Sequence, residues 1–215
     1  MQEIPLFPLN TVLFPTMPLP LRIFEERYKQ MLAYCLEEGS PFGVVLIRSG
    51  RAEFGPLADP HAIGCTAKIT QVQPLGDGQS FVMSVGHERF RILGVRQDKP
   101  YLTGQVEMVP FAAESDTAVQ RASEKLQPQL WDYLERLSRL GRLEIDAASL
   151  PADSEPRRMA YLAASVLQAP ETIKQALLEE DRLSRLLLKL NQVFTRENTL
   201  MRTMPEEDLE PFSLN

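Results

Sequence analysis

The chain has 215 residues with 44% hydrophobic and 24% charged content, a soluble globular composition that leaves room for one large or two modest domains and argues against wholesale disorder or a fibrous repeat. Twenty-nine acids against 23 bases give a formal net charge of −6, so the overall field repels nucleic-acid phosphates.

Residues 1–110 carry ten of the eleven glycines and a net charge of −1, whereas residues 111–215 carry −5 and only Gly141. Turn formers crowd the first part and helix formers fill the second. The expected architecture is α+β, with a β-rich domain over 1–110 and a helical bundle over 111–215.

Five prolines interrupt the first twenty residues: Pro5, Pro8, Pro15, Pro18 and Pro20. Because proline cannot donate to a sheet ladder, this stretch is expected to form only short edge strands or extended pieces, with no long regular strand. From Ile23 the apolar residues Phe24, Tyr28, Met31, Leu32, Cys35 and Leu36 follow a helical stripe, and Gly39 is placed to end it, predicting a helix over about 23–38.

A buried strand is expected over 42–48, then a loop over 51–61. Strands over 63–75 and 79–93 are separated by Gly76-Asp77-Gly78, a hairpin signal, and another strand begins at Leu102. Strands of this number with irregular connections suggest a small closed or partly closed barrel.

Helical patterns cover roughly 115–140, 156–168, 171–179 and 182–202, with a break or kink expected at Pro128 and helix starts marked by Ser154-Glu155-Pro156 and Ala169-Pro170. In the last helix Leu183, Leu186, Leu187, Leu190, Val193 and Phe194 form one stripe, while Arg182, Arg185, Lys189 and Arg196 lie off it. That stripe must face a partner surface.

The search for chemistry gives no catalytic residue. There is no phosphate loop, no G-x-S-x-G nucleophile turn and no G-x-G-x-x-G. His61 and Cys65 have H-x-x-x-C spacing, but a structural zinc site needs four ligands and Cys35 is the nearest further thiol, so no metal is expected. Adjacent acids such as Glu25-Glu26 and Glu179-Glu180-Asp181 read as solvated faces. Cys35 and Cys65 form no disulfide framework, and Met1-Gln2-Glu3-Ile4-Pro5 opens without a basic leader; both fit a cytoplasmic protein.

The segment Ile4-Pro5-Leu6-Phe7-Pro8-Leu9 through Phe14-Pro15-Thr16-Met17-Pro18-Leu19-Pro20-Leu21 resembles the opening of the Lon protease N-terminal domain, with Thr16 in place of the usual glycine. Ile23-Phe24-Glu25-Glu26-Arg27-Tyr28 is similar to the I-F-E-x-R-Y of standalone Lon-domain proteins. Gly64-Cys65-Thr66-Ala67-Lys68-Ile69, Gly86-His87-Glu88-Arg89-Phe90-Arg91-Ile92 and Lys174-Gln175-Ala176-Leu177-Leu178-Glu179 resemble further motifs of that family.

The resemblance implies a PUA-like β pseudo-barrel followed by a helical bundle, in a bacterial, cytoplasmic module without the ATPase and protease domains of full Lon proteins. It implies binding of unfolded or exposed polypeptide segments without catalysis or cofactor, alongside a protease or chaperone in protein quality control, with weak self-association; the acidic balance and the lack of an apolar run of roughly 20 residues argue against a nucleic-acid or membrane partner. Phe14, Met17, Leu19 and Phe24 are the candidate polypeptide contacts, because the proline-broken segment cannot bury every apolar side chain in a regular sheet. Arg27, Gly64, Gly86 and Arg89 are the structural motif residues. The rival reading is a small-molecule binder or enzyme using the barrel cleft with His61, Glu25 or Arg89; RNA binding, known in PUA-like folds, is the third.

Overall fold

A computed structural model describes residues 1–49, 59–139 and 155–203. The expected helix start at Ser154 and most of the expected 51–61 loop lie outside the described residues. The described chain forms two compact units, one of Met1–Phe111 with Ala164–Glu179 and one of Ala112–Ala163 with the residues from Glu180 onward.

The first unit is built on seven strands: β1 (Gln2–Leu9), β2 (Pro18–Ile23), β3 (Phe42–Ser49), β4 (Asp59–Pro60), β5 (Ile63–Pro74), β6 (Ser80–Arg96) and β7 (Leu102–Met108). The order β1-β7-β6-β5-β3 is antiparallel throughout, and a parallel pairing of β1 with β3 returns it to its start, so five strands close into a ring. Closure removes the open backbone edges that a flat sheet would expose. Ile4, Leu6, Val45, Phe90, Leu102 and Val106 make one apolar cluster from strands around the ring. Phe90 fills the space left by missing side chains: a Cβ on Gly43 or Gly64 would lie 2.6 or 2.7 Å from its Cζ.

Helix α1 (Glu26–Glu37) covers a second cluster, burying Tyr28, Met31, Leu32 and Cys35 against Phe7, Leu13, Leu19, Phe42 and Val82. It begins three residues later than expected, because Ile23 is the last residue of β2, opposite Ser80. Gly39 ends it at φ +60°, and Asp77 and Gly78 turn the β5–β6 hairpin at φ 54° and 66°, as their residue types foretell.

The exclusion of a long strand from the proline-rich opening is corrected: β1 has eight residues and contains both Pro5 and Pro8. Residues 2–6 pair with β7 and residues 6–9 with β3, overlapping only at Leu6. Each proline therefore lies on a stretch with one neighbour, where its missing donor can face away from the ladder.

Four further helices follow: α2 (Asp116–Arg139), α3 (Pro156–Val166), α4 (Glu171–Leu178) and α5 (Leu183–Thr203). Helix α2 runs through Pro128 as one continuous helix, so of the expected break or kink no break occurs. Pro128 and Glu124, whose carbonyl loses its partner, are both exposed, so water can satisfy the freed group. In the second unit Leu186, Leu187, Leu190 and Phe194 of α5 are buried with Leu126, Leu130, Tyr133 and Leu134 of α2. The Tyr133 and Phe194 rings meet edge to face at 4.8 Å.

Helix α4 belongs to the sheet-bearing unit and is tied to it by polar contacts. Glu171 Oε2 accepts the Val12 N–H at 2.8 Å, and Gln175 Nε2 donates to the Ile63 carbonyl at 3.0 Å. Arg89, 4% exposed, donates to the Leu178 carbonyl at 2.9 Å and the Val109 carbonyl at 3.2 Å, with its guanidinium 4.0 Å from the Phe111 ring centroid.

Candidate functional site

The segment between β1 and β2 crosses β6 at very close range. Thr16 N–H donates to the Gly86 carbonyl at 2.8 Å and Gly86 N–H to the Met17 carbonyl at 2.9 Å. A Cβ on Gly86 would lie 2.1 Å from the Phe14 carbonyl oxygen, so only glycine admits the crossing. To turn there the chain takes φ 69° at Thr16, a left-handed conformation unfavourable for a β-branched residue. The departure from glycine at this position is thus a local strain.

This crossing decides where the candidate contacts point. Phe14 is 0% and Leu19 6% exposed, so both are corrected from polypeptide contacts to core. The Phe14 carbonyl faces Gly86, and Leu19 belongs to the cluster that α1 covers. Met17 is half-buried against the same cluster. Phe24 alone is exposed, at 39%.

Phe24 stands on the rim of a pocket of about 110 Å3 lined by Phe7, Leu9, Leu21, Ile23, Tyr28 and polar Arg22 and Glu25. Its floor is aromatic: the Phe7 and Tyr28 ring centroids are 4.2 Å apart. Burial pushes the Tyr28 hydroxyl up to about 12 against the opposing pull of Arg27, so it is neutral across the physiological range. Arg27 Nε and Nη2 both bond Glu25 Oε2 at 2.9 Å, and its guanidinium lies 4.5 Å from the Tyr28 centroid. The Glu25 charge is thereby matched within the wall, and Arg22, donating to Gln79 Oε1 at 2.8 Å, is the exposed cation of the rim. Local periodicity cannot find this pocket, since its walls come from β1, β2 and α1; the sequence signal was a phenylalanine one residue outside β2.

Among the described residues strand β2 beside it pairs only with β6. Donors alternate sides along a strand, and Pro18 and Pro20 have none, so Leu19, Leu21 and Ile23 donate to β6. The outer edge is left with Arg22 as its one donor within β2, which disfavours addition of another strand there.

Of the residues of the rival reading, Arg89 and His61 meet adjacent residues at the end of α4, Leu178 and Glu179, while Glu25 lines the separate pocket beside Phe24. Glu25 is paired with Arg27, Arg89 is committed to main-chain carbonyls, and His61 Nδ1 lies 3.6 Å from Glu179 Oε1. Cys65 is 0% exposed, and burial pushes its thiol up to about 12. Among the described residues no group of three or more His, Cys, Asp or Glu side chains could hold a metal ion, and no described helix is long and apolar enough to cross a membrane.

Comparison with known proteins gives these features a family. The family model described as the ATP-dependent protease La (LON) substrate-binding domain matches residues 3–196. The chain is 27% identical over 208 residues to Lon protease 1 of Herpetosiphon aurantiacus, covering 93% of this chain and 25% of that protein. It is 30% identical over 197 residues to Lon protease 2 of the same organism, covering 88% and 24%. It thus spans about a quarter of the length of these curated relatives.

Among solved structures it is similar to a Lon N-terminal domain protein from Xanthomonas campestris, with TM-score 0.60 and 26% identity over 95% of this chain and all of that one. The N-terminal domain of the Mycobacterium avium complex Lon protease shares the fold at TM-score 0.70 and 19% identity, covering 90% and 98%. The matches fall on the substrate-binding region and not on the catalytic domains. Because that family model covers residues 3–196 of the 215, this chain belongs to the LON substrate-binding domain family.

Proposed function

We propose that this chain is a non-catalytic polypeptide-binding module, a PUA-like pseudo-barrel with a C-terminal helical bundle that serves protein quality control as an adaptor for exposed apolar segments. The observation that carries the reading is Phe24, exposed on the rim of an apolar pocket floored by Phe7 and Tyr28. The pocket is of the order of the ~150 Å3 cavities that accept a benzene ring, enough for one aliphatic or small aromatic side chain. Its floor carries no unmatched charge, so an incoming apolar group displaces water without stranding an ion.

The proline-blunted edge of β2 favours capture by side chains over main-chain pairing, so recognition depends on apolar residues with little demand on sequence. Met17, at the other end of β2, supplies a second adaptable apolar side chain. Leu19 belongs to the same core cluster as Phe7, Ile23 and Tyr28, which line the pocket. The family match to a substrate-binding domain supports the reading.

Titration of the full chain with a reduced, permanently unfolded polypeptide tests it. Saturable binding that weakens by at least ~10-fold (~1.4 kcal/mol) in Phe24→Ser with unchanged melting temperature, and at least as much in Leu21→Ser at a temperature where that variant, which loses core packing, remains folded, is the expected result. Absence of saturable binding, or equal affinity in both variants, overturns it.

A further inference from the structure

Helix α5 buries Leu183, Leu186, Leu187, Leu190 and Phe194 on one side. On its opposite side, together with the residue just before it, Arg182, Arg185, Lys189, Gln192, Arg196, Thr199 and Thr203 are all exposed. Their spacing is 3-4-3-4-3-4, the interval by which one helix presents a continuous seam to another. The seam contains four cations and no acid. Arg182 to Arg196 spans about 21 Å at ~1.5 Å per residue.

Lys189 is bonded to Glu180 at 2.7 Å, but the side chains of Arg182, Arg185 and Arg196 have no ion-pair partner among the described residues. Leu188 and Leu200 flank the seam and are 39% and 52% exposed. An isolated solvated helix face usually mixes signs, because pairs of opposite charge three or four residues apart support the helix. Here that local support is absent, and apolar side chains stand on both sides of a one-signed row.

We propose that this face of α5 docks an acidic amphipathic helix of a partner protein, with carboxylates at heptad spacing against Arg182, Arg185 and Arg196 and apolar residues over Leu188 and Leu200. Charge complementarity selects the occupant. Guanidinium groups pair carboxylates in a bidentate fork, and the seam repeats every ~10.5 Å, the rise of one heptad. A nucleic acid could meet the same cations, but its phosphates would leave Leu188 and Leu200 uncovered. The surface is distinct from the Phe24 pocket and does not rest on it.

The test titrates the full chain with a helical peptide of about three heptads bearing glutamates in its 3-4 seam and leucines beside it. A sequence-scrambled peptide of equal charge and a single-stranded RNA of equal length serve as competitors. The expected result is binding that weakens at least ~10-fold (~1.4 kcal/mol) in Arg185→Gln/Arg196→Gln and at least ~3-fold in Leu188→Ser, and that falls with added salt. Phe24→Ser leaves it unchanged, which separates failure here from failure of the pocket. All substituted side chains are exposed, so folding is preserved. Equal binding by the variants, equal binding of the scrambled peptide, or tighter binding of RNA overturns the proposal.

Discussion

The two units solve the same problem by opposite means. In the sheet-bearing unit, backbones approach so closely that what matters is the absence of atoms: Gly64 and Gly86 lie where a Cβ would come within 2.4 Å of the Val44 carbonyl and 2.1 Å of the Phe14 carbonyl. In the helical unit what matters is bulk, with Tyr133, Phe194 and the leucines of α2 and α5 filling the space between smooth cylinders. The difference teaches where each unit is brittle, since a strand ladder cannot shift to admit a methyl group, whereas a helix pair cannot close over a lost ring.

The largest effect should come from emptying the helical core. Phe194→Ala is expected to cost about 3–5 kcal/mol, as large-to-small changes at sealed sites do. The single tryptophan, Trp131, lies in α2, so its fluorescence in a urea titration reports the loss. A cost below ~1 kcal/mol would mean that the helices collapse onto the gap and that bulk is not the controlling quantity.

Gly86→Ala adds one methyl group and is expected to cost about 1–3 kcal/mol, because the obstacle is a backbone oxygen rather than a mobile side chain. Amide exchange in β5 and β6 should quicken while Trp131 is little affected. Thr16→Gly works in the other direction at the same crossing. Relief of the left-handed threonine should stabilise the protein by ~1 kcal/mol, less the entropy that glycine adds to the unfolded chain, and a melting curve decides it. A midpoint lowered by the full entropic cost of glycine, about 0.5–1 kcal/mol, would show that the crossing is not strained.

The smallest effects, at the onset of titration, sharpen the contrast through pH. Burial pushes the thiols of Cys35 and Cys65 up to about 11 and 12, and the Tyr28 hydroxyl up to about 12. Folding therefore favours their protonated forms, and the stability they contribute is full below the unfolded values of 9.0 for the thiols and 10.0 for the tyrosine, then lost as pH rises through the folded ones.

Asp132 and Glu180 in the helical unit behave oppositely. Burial acts to raise them, but bonds and charges from Arg136 and Arg202 hold Asp132 below 3.8, and Lys189 with main-chain donors holds Glu180 below 4.5. Their contribution is present above those values and lost as pH falls through the folded ones. Exchange in the sheet should quicken first above about pH 9, and Trp131 should respond first below about pH 4. Asp132→Asn should flatten the acid limb alone.

Much of the helical unit was readable because a helix is a local object. The leucine stripe of α5 announced its buried side, and the observed helix lies within a residue of the expected bounds. Gly39 and the Asp77-Gly78 pair revealed their turns because positive φ is a property of single residues. Sequence reasoning failed where a side chain's fate depends on distant strands. Phe14, Met17, Leu19 and Phe24 share one composition-level signal, yet the structure buries two, half-buries one and exposes one. Phe14 is enclosed where its carbonyl oxygen meets Gly86, 72 positions away by residue number, a contact that no neighbouring residue announces.

The sequence by itself determined the helices, the turns, the family and the absence of familiar catalytic motifs, because periodicity, backbone preference and short motifs are carried by neighbouring residues. Only the tertiary structure decided that β1 changes partners at Leu6, that the strands close into a ring, and that one aromatic side chain is left beside an open pocket. Those outcomes depend on the register between strands, and register is fixed by contacts between residues far apart in the chain.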